Sequence, residues 1–337
     1  MILTTVYFFL TFCFFLFFNK FSSLINIYDI PNERKLHKNE ISLAGGIYIF
    51  VCIYSYLLAT TVFNLNNTEI FFSITTENFN FFIIAFLFFF VGFVDDKKNI
   101  SSNSKIIVFF ILTLVVVSID PRLNVKILRF SFIENKILLQ NLSVIFTIFS
   151  IFIFINSLNM YDGSNGQLGT YALIFISYLS YKSNSFLILN LIIPIVFFLY
   201  LNLKNKTFAG NSGSYFLGFF LSYIILKIYN FEKFSYMYSD EVVLLMFYPV
   251  VELIRLFFSR IYNNKNPFYA DRNHIHHILQ NMQYSNEKIQ LILITINALP
   301  LIIYEFTKIN IFVFFIINVI IYYLIISKKL FFQNNKH

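Results

Sequence analysis

Apolar runs recur along almost the whole chain, at about 2–19, 45–63, 79–94, 106–119, 142–158, 168–181, 185–201, 213–229, 240–258, 289–304 and 309–327, parted by short stretches rich in Asn and Lys. A hydrocarbon core about 30 Å thick takes roughly 20 residues of helix to cross, and lipid leaves a backbone no partner but itself. The runs therefore predict an all-α fold, a polytopic transmembrane bundle of ten or eleven helices. The abundant Phe and Ile are no argument against helix in that solvent. No charged segment precedes the first run and no small-residue cleavage site follows it, so it is expected to remain as a helix and not to act as a signal peptide. No repeat, Pro-rich linker or soluble domain interrupts the pattern, and residues 1–337 are expected to form a single integral membrane domain.

Composition agrees and excludes other classes. The chain is 58% hydrophobic and only 12% charged, against roughly 25% charged in soluble domains. Its formal charge of +8 does not point to nucleic acid, because Lys and Arg sit in short loops, where they set topology and meet anionic head groups. Cys13 and Cys52 each lie in an apolar run, so neither a disulfide framework nor a cysteine metal site is available.

With the N-terminus outside, the inner loops carry sixteen Lys and Arg and the outer loops eight, with Arg255 inside a run. That bias predicts an outside N-terminus and a cytoplasmic C-terminus. It also brings the polar clusters to one side: 31–46, 92–98, 156–169, 208–214 and 271–277.

The central cluster is Asn156-Ser-Leu-Asn-Met-Tyr-Asp-Gly-Ser-Asn-Gly-Gln-Leu-Gly169, directly after an apolar run. Asn156, Asn159, Asp162 and Asn165 bring oxygen ligands, and the glycines at 163, 166 and 169 expose backbone amides. Such equipment suits a phosphate or a metal. Asp95 and Asp96 end another run; carboxylates at a helix C-terminus oppose its dipole, so a cation is expected beside them. His274 and His277 are spaced to share a helical face, with His276 pointing elsewhere, and imidazoles donate well to phosphate oxygens. Zinc is the rival reading of these histidines, but no cysteine and no His-x3-His pair accompanies them. Glu252 and Arg255, one turn apart inside a run, read as a mutually satisfied pair.

The motifs resemble, in order and over nearly the whole chain, those of the MraY/WecA superfamily of polyprenyl-phosphate N-acetylhexosamine-1-phosphate transferases. The likeness lies in Pro-Asn-x-Arg-Lys-x-His and Gly-Gly at 31–46, Gly-Phe-x-Asp-Asp at 92–96, Asn-x-x-Asn-x-x-Asp-Gly-x-x-Gly at 156–166, Gly-x-x-Gly-Ser-x-x-Leu-Gly at 210–218, Pro-x-x-Glu-x-x-Arg at 249–255 and Asp-Arg-x-His-x-His-His at 271–277. The spaced histidines are more similar to the WecA and TagO branch, whose donors resemble UDP-N-acetylglucosamine. The resemblance implies a bacterial inner-membrane enzyme that passes an N-acetylhexosamine 1-phosphate from a UDP-sugar to undecaprenyl phosphate, releases UMP and starts a lipid-linked surface polysaccharide such as O-antigen. It implies Mg2+, with Mn2+ as the alternative cation. It gives Asp95, Asp96 and Asp162 catalytic work. Lys35, His37, Lys105, Asn156, Asn159, Asn165, Arg272, His274, His276 and His277 are implied to hold substrate, and Asp162, Asn211, Asp95 and Asp96 the metal.

Two departures stand out. Asn165 and Asn211 occupy positions where the family pattern has Asp, and Ser42 replaces a Pro before Gly45-Gly46. Each Asn keeps a carbonyl oxygen but removes a negative charge. This leaves a metal held mainly by Asp162, Asp95 or Asp96, a less anionic pocket for a different donor, or a weakened catalyst. A transporter or flippase of a lipid-linked or anionic solute is the reading from another class. The sequence leaves a homodimer open.

Overall fold

The computed structural model describes residues 2–31, 39–63, 76–231, 236–267, 273–307 and 309–334. Every predicted apolar run is helical. In chain order the helices are α1 (Ile2–Leu16), α2 (Phe18–Ile25), α3 (Ala44–Val62), α4 (Thr76–Lys98), α5 (Ser102–Ile119), α6 (Ser143–Tyr161), α7 (Gln167–Ser183), α8 (Phe186–Asn190), α9 (Ile192–Leu203), α10 (Gly210–Asn230), α11 (Ser239–Tyr262), α12 (Ile275–Asn281), α13 (Asn286–Thr307) and α14 (Ile311–Asn334). Among the described residues, eight spans are long and apolar enough to cross a membrane, and α1 with α2 makes a ninth if counted as one.

The first run is not a straight helix. It turns by 66° at Phe17, and α2 continues as a short piece with Lys20 exposed. The run at 185–201 is likewise divided, at Leu191, into α8 and α9. Two small antiparallel hairpins accompany the helices: β1 (Tyr28–Asp29) pairs with β2 (Ile41–Ser42), and β3 (Ile127–Leu128) with β4 (Ile137–Leu138).

At the centre stands α10, whose residues from Ser212 to Tyr229 are all buried. It packs against α3, α4, α6 and α7. Without a hydrophobic drive between helices in lipid, close contact depends on small residues that let backbones approach. Gly46 of α3 and Gly213 of α10 meet in this way: a Cβ on Gly46 would lie 2.1 Å from the Ala209 carbonyl and 2.3 Å from the Gly213 nitrogen. Gly92 of α4 would collide with the backbone of Asn211 and Ser212 at 2.5 Å. These two glycine contacts press α3 and α4 onto the first turn of α10. Farther along, Phe88 stacks on Phe219 at 4.8 Å and Phe50 on Phe89 at 3.9 Å.

The other end of α10 is tied by charge. Lys227 pairs with Asp120 at 3.1 Å, and Arg122 reaches the same carboxylate at 2.8 Å. Lys182 of α7 lies 3.0 Å from Glu241 of α11 and 3.1 Å from Glu305 of α13. Buried carboxylates need such partners, so these basic residues serve packing as well as topology.

Candidate active site

At the end of the bundle where α4, α6 and α9 finish and α10 begins, the motif loops surround a cleft of about 1330 Å3. Its lining mixes polar and apolar side chains.

The paired carboxylates of α4 part company there. Adjacent helical residues point about 100° apart, and the two side chains face different neighbours. Asp95 is fully buried. It accepts hydrogen bonds from Tyr215 Oη at 2.7 Å and the Ile100 N–H at 2.8 Å, and pairs with Lys105 Nζ at 2.6 Å. Lys105 is the cation that the helix-end argument expects. Asp96 instead lines the cleft and accepts from the N–H groups of Asn211 at 2.7 Å and Ser212 at 3.0 Å. It therefore caps α10, where a negative charge also meets the positive end of the helix dipole. Gly210 makes this approach possible: its φ is +65°, and a Cβ there would sit 2.8 Å from Asp96 Oδ2.

The end of α6 supplies the next side. Asn156, Asn159 and Asp162 all border the cleft. Asn159 Oδ1 accepts from Ser214 Oγ at 2.9 Å, and Asn156 Nδ2 donates to the Phe152 carbonyl at 2.8 Å. Asp162 is half-buried at the cleft wall; burial, with the charge of Asp96 adding to it, pushes its carboxyl up to about 7. The turn that follows is braced by Gln290 of α13, which donates to Ser164 Oγ at 3.1 Å and to the Asn165 carbonyl at 2.6 Å. Asn165 Nδ2 donates to Asn205 Oδ1, and the Gly166 N–H to Asn202 Oδ1 at 2.5 Å. Gln290, Asn202, Asn205, Ser214 and Tyr215 all shape the site, and sequence reasoning does not single them out; Ser214 is a named residue of the 210–218 motif and Tyr215 falls at one of its open positions.

His274, His276 and His277 reach the same cleft. The expected face-sharing of His274 and His277 is not what places them. The helix starts at Ile275, so His274 stands before it in an extended conformation as the cap residue. The closest rings are instead those of His276 and His277, 4.2 Å apart, against 6.3 Å for His274 and His277. His276 is 2% exposed and lies against the Asp162–Gly163 turn, where a Cβ on Gly163 would be 1.9 Å from its Cε1. Burial, with His277 and His274 beside it, holds its imidazole well below the usual range and hence neutral. Its Nε2 has no hydrogen-bond partner among the described residues. Lys35, His37 and Arg272 lie outside the described residues.

Oxygen donors of Asp96, Asp162, Asn165 and Asn211 thus border one space, the kind of hard donor set that Mg2+ takes when it binds through one or two carboxylates and substrate phosphates. Among the described residues, no three His, Cys, Asp or Glu side chains gather as a metal cluster. The same cleft is also lined by Phe109 of α5, Phe149 and Phe152 of α6, and Ile254, Phe257 and Phe258 of α11. Phe149, Ile254 and Phe258 are exposed as well as lining the cleft, so its apolar side chains are open to an incoming chain.

A helical membrane bundle whose motif loops line a cleft with carboxylates, amides, imidazoles and apolar rings suits a membrane enzyme. The sequence comparisons make the class specific. Residues 78–229 match the model of glycosyl transferase family 4. The chain is 32% identical over 280 residues to an undecaprenyl-phosphate alpha-N-acetylglucosaminyl 1-phosphate transferase of Pasteurella multocida (strain Pm70), covering 78% of this chain and 74% of that one. The Salmonella typhi protein of the same description is 25% identical over 310 residues, covering 88% and 78%. A Bacillus subtilis (strain 168) protein described as a probable undecaprenyl-phosphate N-acetylglucosaminyl 1-phosphate transferase is 25% identical over 264 residues, covering 76% and 70%. The chain belongs to glycosyl transferase family 4. The matched segment holds Asp95, Asp96, Lys105, Asp162 and Asn211, while the histidine cluster lies beyond it.

Proposed function

We propose that this protein transfers N-acetylglucosamine 1-phosphate from UDP-N-acetylglucosamine to undecaprenyl phosphate, releasing UMP and starting a lipid-linked cell-surface polysaccharide. The observation that carries this reading is the meeting, in one cleft, of Asp96, Asp162 and Asn211 with Phe149, Phe152 and Phe257. A phosphate on a long apolar chain fits both halves at once. The relatives' shared description supplies the lipid phosphate and the sugar phosphate; the UDP carrier, as donor, is our inference.

In the reaction, an oxygen of the lipid phosphate attacks the β-phosphorus of the nucleotide sugar, the bond from that phosphorus to the bridging oxygen breaks, and UMP departs. A phosphate monoester has its second pKa near 6, so at neutral pH the attacking oxygen is already largely deprotonated. The residues' main task is then to bring two anions together and hold them in line. Asp162 and Asn211 would hold Mg2+, or Mn2+, together with substrate phosphates, and the cation would neutralise charge on both. Lys105, kept at the rim by Asp95, faces the same space and offsets phosphate charge. Asp96 keeps the first turn of α10, and so Asn211, in place. His276, neutral and with Nε2 unpaired, is disposed to share a hydrogen bond with a phosphate oxygen. We place the site end in the cytoplasm and the N-terminus outside from the two-to-one distribution of Lys and Arg.

The test is a panel of UDP-sugars in membranes supplied with undecaprenyl phosphate, read as UMP release. UDP-N-acetylglucosamine should be the best substrate; equal turnover of sugars lacking the N-acetyl group would refute the donor assignment.

A further inference from the structure

Glu252 and Arg255 lie inside the apolar span Ser239–Tyr262, where ionisable side chains are costly and mark function more often than architecture. The structure shows that they do more than satisfy each other. Glu252 is 2% exposed. Its Oε1 accepts from Arg255 Nη2 at 2.8 Å and from the backbone N–H of Ile275 at 2.7 Å. Its Oε2 accepts from Arg255 Nε at 3.2 Å and from the hydroxyl of Tyr322 on α14. Arg255 Nη2 also donates to the Asn273 carbonyl at 2.6 Å, and Arg255 Nε to Tyr322 Oη at 2.6 Å. The network therefore grips the backbone on both sides of His274, whose Nδ1 is itself 3.9 Å from Glu252 Oε1.

This grip matters because of what it holds. Helix α12 has seven residues, and its cap residue His274 makes no side-chain capping bond. So short a helix does not stand by itself; its start is fixed by a carboxylate from α11 and a guanidinium that α14 orients. His276 and His277 follow within one turn and inherit that placement.

We infer that Glu252, Arg255 and Tyr322 are positioning residues: they set where the three histidines stand in the cleft, and so act on transfer without touching substrate. The inference rests on the function proposed above for its kinetic readout, and a second readout is independent of it.

The kinetic experiment uses the full chain in lipid nanodiscs with undecaprenyl phosphate and UDP-N-acetylglucosamine. Glu252→Gln, Arg255→Lys and Tyr322→Phe are measured alone and combined with His276→Ala. Glu252→Gln is expected to lower kcat about 100-fold, the scale of a misplacement near 1 Å, and Tyr322→Phe about tenfold, with KM for the lipid nearly unchanged. In the His276→Ala background each should cost less than about threefold, because residues that act through one another are not additive. Full additivity would overturn the proposal. The second readout is modification of His276 by diethyl pyrocarbonate, mapped by mass spectrometry well below the melting temperature. The parent should protect His276, and Tyr322→Phe, the mildest change, should raise its rate at least about fivefold, as expected when a local anchor is loosened. Unchanged protection in folded Tyr322→Phe and Glu252→Gln would overturn the proposal whatever the activity. If the parent transfers nothing, the functional reading falls, and the protection pattern still decides the clamp.

Discussion

Asp96 Oδ1 accepts the backbone N–H of Asn211 at 2.7 Å, so the carboxylate retained at the end of α4 fixes the residue whose own side chain has lost a charge relative to the family pattern. A carboxylate at 211 would border the same cleft as Asp96. Such a pair repels when empty and binds a cation more tightly when filled.

Asn211→Asp is therefore expected to tighten apparent Mg2+ affinity about tenfold, or ~1.4 kcal/mol, a modest share of the Coulomb energy available near an effective dielectric of 20. Asn211→Ala should weaken it. Without divalent cation, Asn211→Asp should lower the melting temperature; with Mg2+ that loss should disappear. UMP release and thermal melts against Mg2+ concentration check both signs, and an Asn211→Asp protein indifferent to Mg2+ would contradict the assignment.

Asp162 and Asn165 offer a contrast within one turn. Asp162 borders the cleft with its carboxyl near the Asp96 charge, whereas the Asn165 amide is engaged with Asn205 at the rim. Asp162→Asn should cost on the order of 100-fold in turnover, since it removes a charge that serves the cation. Asn165→Ala should stay within about twofold, as for a partly exposed polar pair. If Asp162→Asn keeps parental activity while Asn211→Ala abolishes it, Asn211 is the principal ligand and Asp162 is not.

How far this was legible in the sequence depends on what each feature needs. The spans were readable because lipid allows little but helix, and Pro249 and Pro300 do not break α11 and α13. The turn at Phe17 was not, since the chain is apolar throughout from Phe12 to Phe18 and carries no Gly or Pro at the bend. Asp95 and Asp96 look equivalent in a string, yet a 100° step sends one to Lys105 and the Tyr215 hydroxyl and the other to the backbone N–H groups that open α10. The histidine motif announces a cluster but not where its helix begins, because Glu252, which receives the first N–H, lies 23 positions away. Gly163, flagged only for an exposed amide, turns out to be the seat of His276.

Gly163→Ala should therefore act as a histidine mutation. Its Cβ would lie 1.9 Å from His276 Cε1, and the ring must leave. Turnover is expected to fall about 100-fold with a stability cost of about 1–3 kcal/mol for overpacking. Gly169→Ala, whose Cβ first meets the flexible Leu199 side chain at 3.1 Å, should lose much less. Equal activity of Gly163→Ala and parent would show that His276 does not need its observed place.

Orientation is open to a labelling test. A cysteine at Ser101, beside the site end of α4 and α5, should react with an impermeant thiol reagent only from the cytoplasmic side. One at Asn67 should react only from outside. Both are made with Cys13 and Cys52 replaced. Labelling of both from a single side would overturn the proposed topology.

In the proposed reaction a sugar phosphate, not a bare sugar, passes to the lipid. Purified protein, undecaprenyl phosphate, Mg2+ and UDP-N-acetylglucosamine labelled at the β-phosphorus decide it directly. Label should move into the lipid fraction in step with UMP release, and EDTA should stop both until Mg2+ or Mn2+ is restored. Label left in water-soluble UDP while sugar appears on the lipid, or no transfer at all to undecaprenyl phosphate, would contradict it.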